Sequence, residues 1–127
     1  MQTGGTLLEK HGIITSESDD MKLSIIGLGS VGSAAYSTLV RQFETVIYDI
    51  DGRGSWDNVL GSNVVLVCVS TNGSTNGSLD MSSIYSVMDR LAQSSYGGLI
   101  IVKSTVQPRT IDNIKKIHPN LRLSYVP

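Results

Sequence analysis

The stretch Lys22-Leu23-Ser24-Ile25-Ile26-Gly27-Leu28-Gly29-Ser30-Val31-Gly32 decides the fold. Its first half is a short apolar run that reads as a buried strand. Its second half spaces glycines as Gly-x-Gly-x-x-Gly, and Val31, Ala35, Leu39 and Phe43 then recur at every fourth position, as on one stripe of a helix. A strand that turns through glycines into a helix uses each glycine differently. Gly27 allows the sharp exit from the strand, Gly29 keeps side-chain atoms away from the helix start, and Gly32 permits close packing of helix on sheet. The N–H groups and positive dipole end at such a helix start suit a diphosphate.

Downstream, Thr45-Val46-Ile47-Tyr48 reads as a second strand ending at Asp49, close to the spacing of about 20 residues at which a dinucleotide-binding unit carries its acid. A carboxylate there accepts the two ribose hydroxyls of an adenosine and repels the extra phosphate of NADP, so the expected cofactor is NAD. The plainer readings are that the glycines make only a tight turn and that Asp49 is a surface turn residue, with Asp51 able to replace it. Arg53 either lines the adenine pocket or is simply solvated.

The remaining chain continues the alternation of strand and helix. Asn63 to Val69 is apolar enough for a central strand, and the Gly-containing link before it is too short for a full crossover helix. Ser70 to Ser78 reads as a loop, and Asp80 as the N-cap of a helix whose inner face is Ile84, Val87, Met88 and Leu91. Leu99 to Val102 is a fourth strand. Pro108 suits the first turn of a helix with Ile111, Ile114 and Ile117 on its inner side, and Leu121 to Val126 is a fifth strand. The expected class is α/β, a Rossmann-like three-layer fold with a mostly parallel sheet.

The 127 residues, 40% of them hydrophobic, are enough for one domain with a real core. Residues 1–20 lack the basic start and apolar middle of a secretory signal and are expected to be a disordered leader, the NAD-binding domain being 21–127. A net charge of -1 gives no electrostatic attraction to nucleic acid or to an anionic membrane. No stretch approaches the roughly 20 apolar residues of a membrane span, and a cytoplasmic location is expected. The one cysteine, Cys68, excludes an internal disulfide, and no residue cluster has metal-ligand spacing. Cys68 lies mid-strand in an apolar run that disfavours its thiolate, so its expected role is packing. Lys103 reads as structural or solvent-facing, and His11 and His118 as exposed histidines without the partner a general base needs.

Three segments then follow in a particular order: Val67-Cys68-Val69-Ser70-Thr71, Gly77-Ser78-Leu79-Asp80 and Lys103-Ser104-Thr105-Val106. From Met21 to Pro127 the chain resembles the N-terminal, NAD-binding domain of the UDP-glucose/GDP-mannose dehydrogenases. The resemblance implies that Ser70 and Thr71 pass beside the cofactor and that Thr105 has a supporting catalytic role near the reaction centre. The implied cofactor-binding set is Gly27, Gly29, Ser30, Val31, Gly32, Asp49, Ser70, Thr71 and Thr105. The implied activity is that of a nucleotide-sugar 6-dehydrogenase, such as UDP-glucose 6-dehydrogenase, which oxidises a sugar 6-hydroxymethyl to a carboxylate for polysaccharide biosynthesis, in a parent protein that is a homodimer.

Some features depart from the family. Asn72 stands where a proline is usual, Gln107-Pro108-Arg109 replaces a Pro-Pro-Gly, and the link from Asp49 to Asn63 is shorter. Leu123 to Pro127 resembles the approach to a catalytic glutamate. The nucleophilic cysteine, its lysine and asparagine, the central helix and the C-terminal substrate domain are expected beyond that point, so the chain alone is expected to bind NAD without turnover. A stand-alone NAD-binding regulatory module and a fragment of a β-hydroxyacid-type dehydrogenase are the alternatives. The Gly77 to Asp80 and Lys103 to Val106 segments argue against the latter.

Overall fold

The computed structural model describes residues 21–49, 52–71 and 79–126, with nothing described of the Ser30 side chain. Strands and helices alternate along them: β1 (Lys22–Ile26), α1 (Ser30–Leu39), β2 (Glu44–Tyr48), α2 (Trp56–Leu60), β3 (Val64–Val67), α3 (Ser82–Gln93), β4 (Leu99–Val102), α4 (Thr110–Ile117) and β5 (Arg122–Tyr125). The strands form one sheet in the order β2-β1-β3-β4-β5. Every pairing between them is parallel, with Ile25 beside Ile47 on one side and Leu66 on the other, and Ile101 between Leu66 and Ser124.

This order sets the layers. The chain steps from β1 outward to β2, then crosses back over β1 to β3 and continues to β4 and β5. Parallel crossovers are right-handed, so α1 covers one face of the sheet while α2, α3 and α4 cover the other. The core agrees: Val59 of α2, Ile84, Val87, Met88 and Leu91 of α3 and Ile114 of α4 pack with Ile26, Val65, Val67, Ile100 and Val102, and among the described residues none of α1 joins them. Truncating a fully buried member such as Leu91 to alanine costs about 2–5 kcal/mol, because lost transfer energy and a residual cavity add. The strand order reverses between β1 and β3, so their carboxyl ends part and leave a crevice.

Several local expectations shift by a residue or more. The β2–β3 link does hold a helix, but only the five residues of α2, consistent with the cramped connection. Asp80 acts one residue earlier than a cap: its Oδ1 accepts the Ser82 amide at 2.9 Å, while Met81 holds the N-cap position. Pro108 lies outside α4, whose N-cap is Arg109 at φ 69°. Ile117 is 57% exposed, since it projects from the last turn of α4, and Thr110 is buried in its place. The α1 stripe is also incomplete: Phe43 lies beyond the helix, and Val31 is 49% exposed at its first turn.

Candidate cofactor-binding site

The glycine loop leaves β1 at its carboxyl end, where Gly27 takes φ +97°. A Cβ at Gly27 would stand 2.7 Å from the Cys68 carbonyl oxygen, so neighbouring backbone as well as φ requires glycine there. At Gly32 a Cβ would overlap the Gly27 carbonyl oxygen, which is how closely α1 sits on its own entry loop. Gly29 differs: nothing lies within 4 Å of where its Cβ would be. Its lack of a side chain serves the open space at the start of α1 rather than the packing of the protein.

Asp49 lies at the end of β2, beside this loop. Its Oδ2 accepts the Leu28 amide at 3.1 Å and pairs with Nη2 of Arg53 at 3.3 Å. The Arg53 carbonyl accepts the Asp49 amide, and Gly54 bridges Tyr48, so residues 53–54 fold back along the outer edge of β2. Asp51 lies outside the described residues. A carboxylate has about four acceptor positions and can take ribose hydroxyls in addition to the amide. Arg53, more than half exposed, sits against the acid.

The other wall comes from β3 and β4. Thr71 is buried and its carbonyl accepts the Asp80 amide at 2.8 Å, while Ser70 and Thr105 are exposed. Asn72, Gly77 and Ser78 fall outside the described residues. Ser104, which no sequence motif singles out, is buried, and its hydroxyl is shared between the carbonyls of Val69 at 2.8 Å and Val67 at 3.3 Å. It ties the end of β4 to the end of β3. The Lys-Ser-Thr-Val segment contains it, but its role follows only from strand register.

These pieces enclose two adjoining cavities. One of about 140 Å³ is lined by Gly27, Leu28, Gly29, Asp49, Val69 and Ser83 among others. The second, about 310 Å³, is lined by Gly29, Val31, Thr71, Lys103, Ser104 and Thr105 among others. Both touch Gly29, Cys68, Val69 and Ser70, so they form one groove over the β1–β3 crevice. The Asp49 carboxylate stands at one end of an otherwise largely apolar lining, and Thr71, Lys103, Ser104 and Thr105 line the other end beside the half-exposed Val31. Cys68 forms part of its floor, with its thiol pushed above the usual range by burial and drawn partly back by the Lys103 charge. Lys103 is half-buried and lines the larger cavity instead of facing away from it.

An extended dinucleotide fits this donor set: open space at Gly29, amides at the start of α1, a carboxylate at one end and hydroxyls at the other. Hollows of about 410 and 450 Å³ lie at the opposite, amino edge of the sheet. They are larger, but contain none of the motif residues. Among the described residues no group of His, Cys, Asp and Glu is placed to hold a metal ion, and no helix is long and apolar enough to cross a membrane. His118 has a partner after all, Asp89, at 2.6 Å, but this pair lies far along α3 and α4 from the groove.

Residues 55–123, more than half of the chain, match the model of the UDP-glucose/GDP-mannose dehydrogenase family, NAD binding domain. Among solved structures, the chain is similar to GDP-mannose dehydrogenase from Pseudomonas aeruginosa, solved as a ternary complex. The identity is 25% and the TM-score 0.66, over 83% of this chain and 35% of that one. A UDP-glucose dehydrogenase from the hyperthermophilic archaeon Pyrobaculum islandicum shares the fold at 20% identity and a TM-score of 0.63, over 86% of this chain and 36% of that one. No curated protein matches the chain in sequence. The chain thus spans about a third of the length of these solved relatives.

Proposed function

The chain belongs to the UDP-glucose/GDP-mannose dehydrogenase family, in its NAD-binding domain, and from this we propose that it is the cofactor-holding part of a nucleotide-sugar 6-dehydrogenase. The observation that carries the reading is the single groove joining the Gly27–Gly32 loop, Asp49 and the ends of β3 and β4 across the crevice. The match to the UDP-glucose/GDP-mannose dehydrogenase family favours this reading over the β-hydroxyacid-type alternative.

In this reading residues 21–127 are the domain and residues 1–20 a leader. Asp49 holds the adenosine ribose, amides at the start of α1 receive the diphosphate above Gly29, and Ser30 and Val31 flank it. Gly27 and Gly32 shape the loop. Ser70 and Thr71 border the middle of the groove, and the Thr105 hydroxyl faces the reacting end, where it orients water and substrate. NAD, when bound, supplies the hydride acceptor for oxidation at the sugar C6. Cys68 is unsuited to be a nucleophile, since burial raises its thiol pKa and disfavours the thiolate. The covalent step therefore belongs to residues outside this chain, as do the choice of sugar and any dimer contact. The parent acts in the cytoplasm, in polysaccharide biosynthesis.

Calorimetric titration with NAD and NADP, beside assays with UDP-glucose and GDP-mannose, tests the reading. The chain is expected to bind NAD in preference to NADP and to turn over neither sugar unaided. Normal turnover by the chain alone would contradict the division of labour, and absence of NAD binding would contradict the site.

A further inference from the structure

Lys103 stands apart from the charges around the groove. It is half-buried at the end of β4, where its amide donates to the Val67 carbonyl at 2.9 Å. No carboxylate among the described residues is within ion-pair range of its ammonium, and the lining of the 310 Å³ cavity contains no acid. A half-buried cation loses part of its hydration and recovers it only through an anionic or strongly polar partner. Lys103 and Cys68 line this cavity together, and the Lys103 charge acts on the Cys68 thiol.

The same cavity is bordered by Gly29 and Val31, the residues on either side of the first position of α1. The start of that helix offers partial positive charge to the cavity that Lys103 also lines. Two positive features facing one cavity, with no acid between them, favour an anion.

We infer that the Lys103 ammonium binds a phosphate oxygen of the cofactor's diphosphate from the β4 side, opposite the amides of α1. The inference rests on the proposed NAD-binding role of the groove and assigns it a side-chain cation. Lysine suits the task as a point charge on a flexible stem that reaches across the cavity. Ser104, anchored on Val67 and Val69, fixes the strand end from which it reaches.

The test compares the full chain with Lys103→Met and Lys103→Arg in titrations with NAD, ADP-ribose and adenosine, at about 50 and about 300 mM salt. Lys103→Met is expected to weaken NAD and ADP-ribose alike, by roughly ten-fold at the lower salt, and to flatten their salt dependence. Adenosine binding stays as in the parent chain, and Lys103→Arg retains most of the affinity. If parent and Lys103→Met bind NAD equally with the same salt slope, the inference is wrong. If NAD weakens but ADP-ribose does not, the lysine serves the nicotinamide end and the phosphate assignment is wrong. Equal losses for all three ligands, including adenosine, would also overturn it, by showing a general defect of the fold. A parent chain that binds none of the ligands contradicts the NAD reading itself, a result distinguishable from all of these.

Discussion

The Asp49 carboxylate accepts the Leu28 amide at 3.1 Å, so the acid that ends β2 and the glycine loop that ends β1 hold each other in place. The pair is partly buried, and Arg53 closes on the same oxygen. Asp49→Ser is expected to weaken NAD about ten-fold or more, by loss of charged hydrogen bonds, and to remove the negative charge that repels a 2′-phosphate. Fluorescence titrations with NADH and NADPH should show their preference narrow or invert; an unchanged preference would mean that Asp49 does not face the ribose.

Gly29 and Gly32 separate function from packing. A Cβ at Gly32 overlaps the Gly27 carbonyl, so Gly32→Ala is expected to cost about 1–3 kcal/mol of stability in urea unfolding, through overpacking. A Cβ at Gly29 meets nothing within 4 Å, so Gly29→Val is expected to leave the unfolding midpoint nearly unchanged while abolishing measurable NAD binding. Equal effects of the two substitutions on stability would refute the distinction.

That contrast also shows what could be read from the sequence. The order of strands and helices was legible because short apolar runs and glycine breaks mark them directly, as Leu99–Val102 does without a shift. The Asp49 position was legible from spacing. The contacts of Ser104 with Val67 and Val69 were not, since they depend on the register of strands 35 or more residues apart. The cavity-facing position of Lys103 was equally hidden, because a lysine at a strand end commonly points to solvent. Ile117 misled for a different reason: its spacing from Ile114 is helical, but the sheet no longer covers the last turn.

Cys68 offers a pH-dependent reporter. Burial raises its thiol pKa, and the nearby Lys103 opposes the rise. The folded chain therefore keeps its thiol proton at pH values where the unfolded chain loses it. The corresponding stability is complete below the ordinary thiol range and declines as pH rises from the unfolded value through the folded one. Alkylation should be slower than for a free thiol at mildly alkaline pH, and slower again with NAD present, because Cys68 lines both cavities. Mass spectrometry of alkylation time courses checks both effects; a rate independent of NAD would place the cofactor elsewhere.

Arg90 tests the link between α2 and α3. Its guanidinium lies 4.0 Å from the Trp56 ring centroid, and its Nη1 donates to the Tyr48 hydroxyl at 2.5 Å. Arg90→Ala is expected to cost about 0.5–2 kcal/mol, followed through the fluorescence of Trp56, the one tryptophan. No loss of stability would mean that the stacking is incidental.

The central claim is that the carboxyl edge between β1 and β3 holds NAD, and an amide-resolved NMR titration of the chain with NAD tests it most directly. The account predicts shifts concentrated at Gly27 to Gly32, Asp49, Ser70, Thr71 and Lys103 to Thr105. Shifts confined to the amino edge, around His118 to Leu121, or no shifts at saturating NAD, would contradict it.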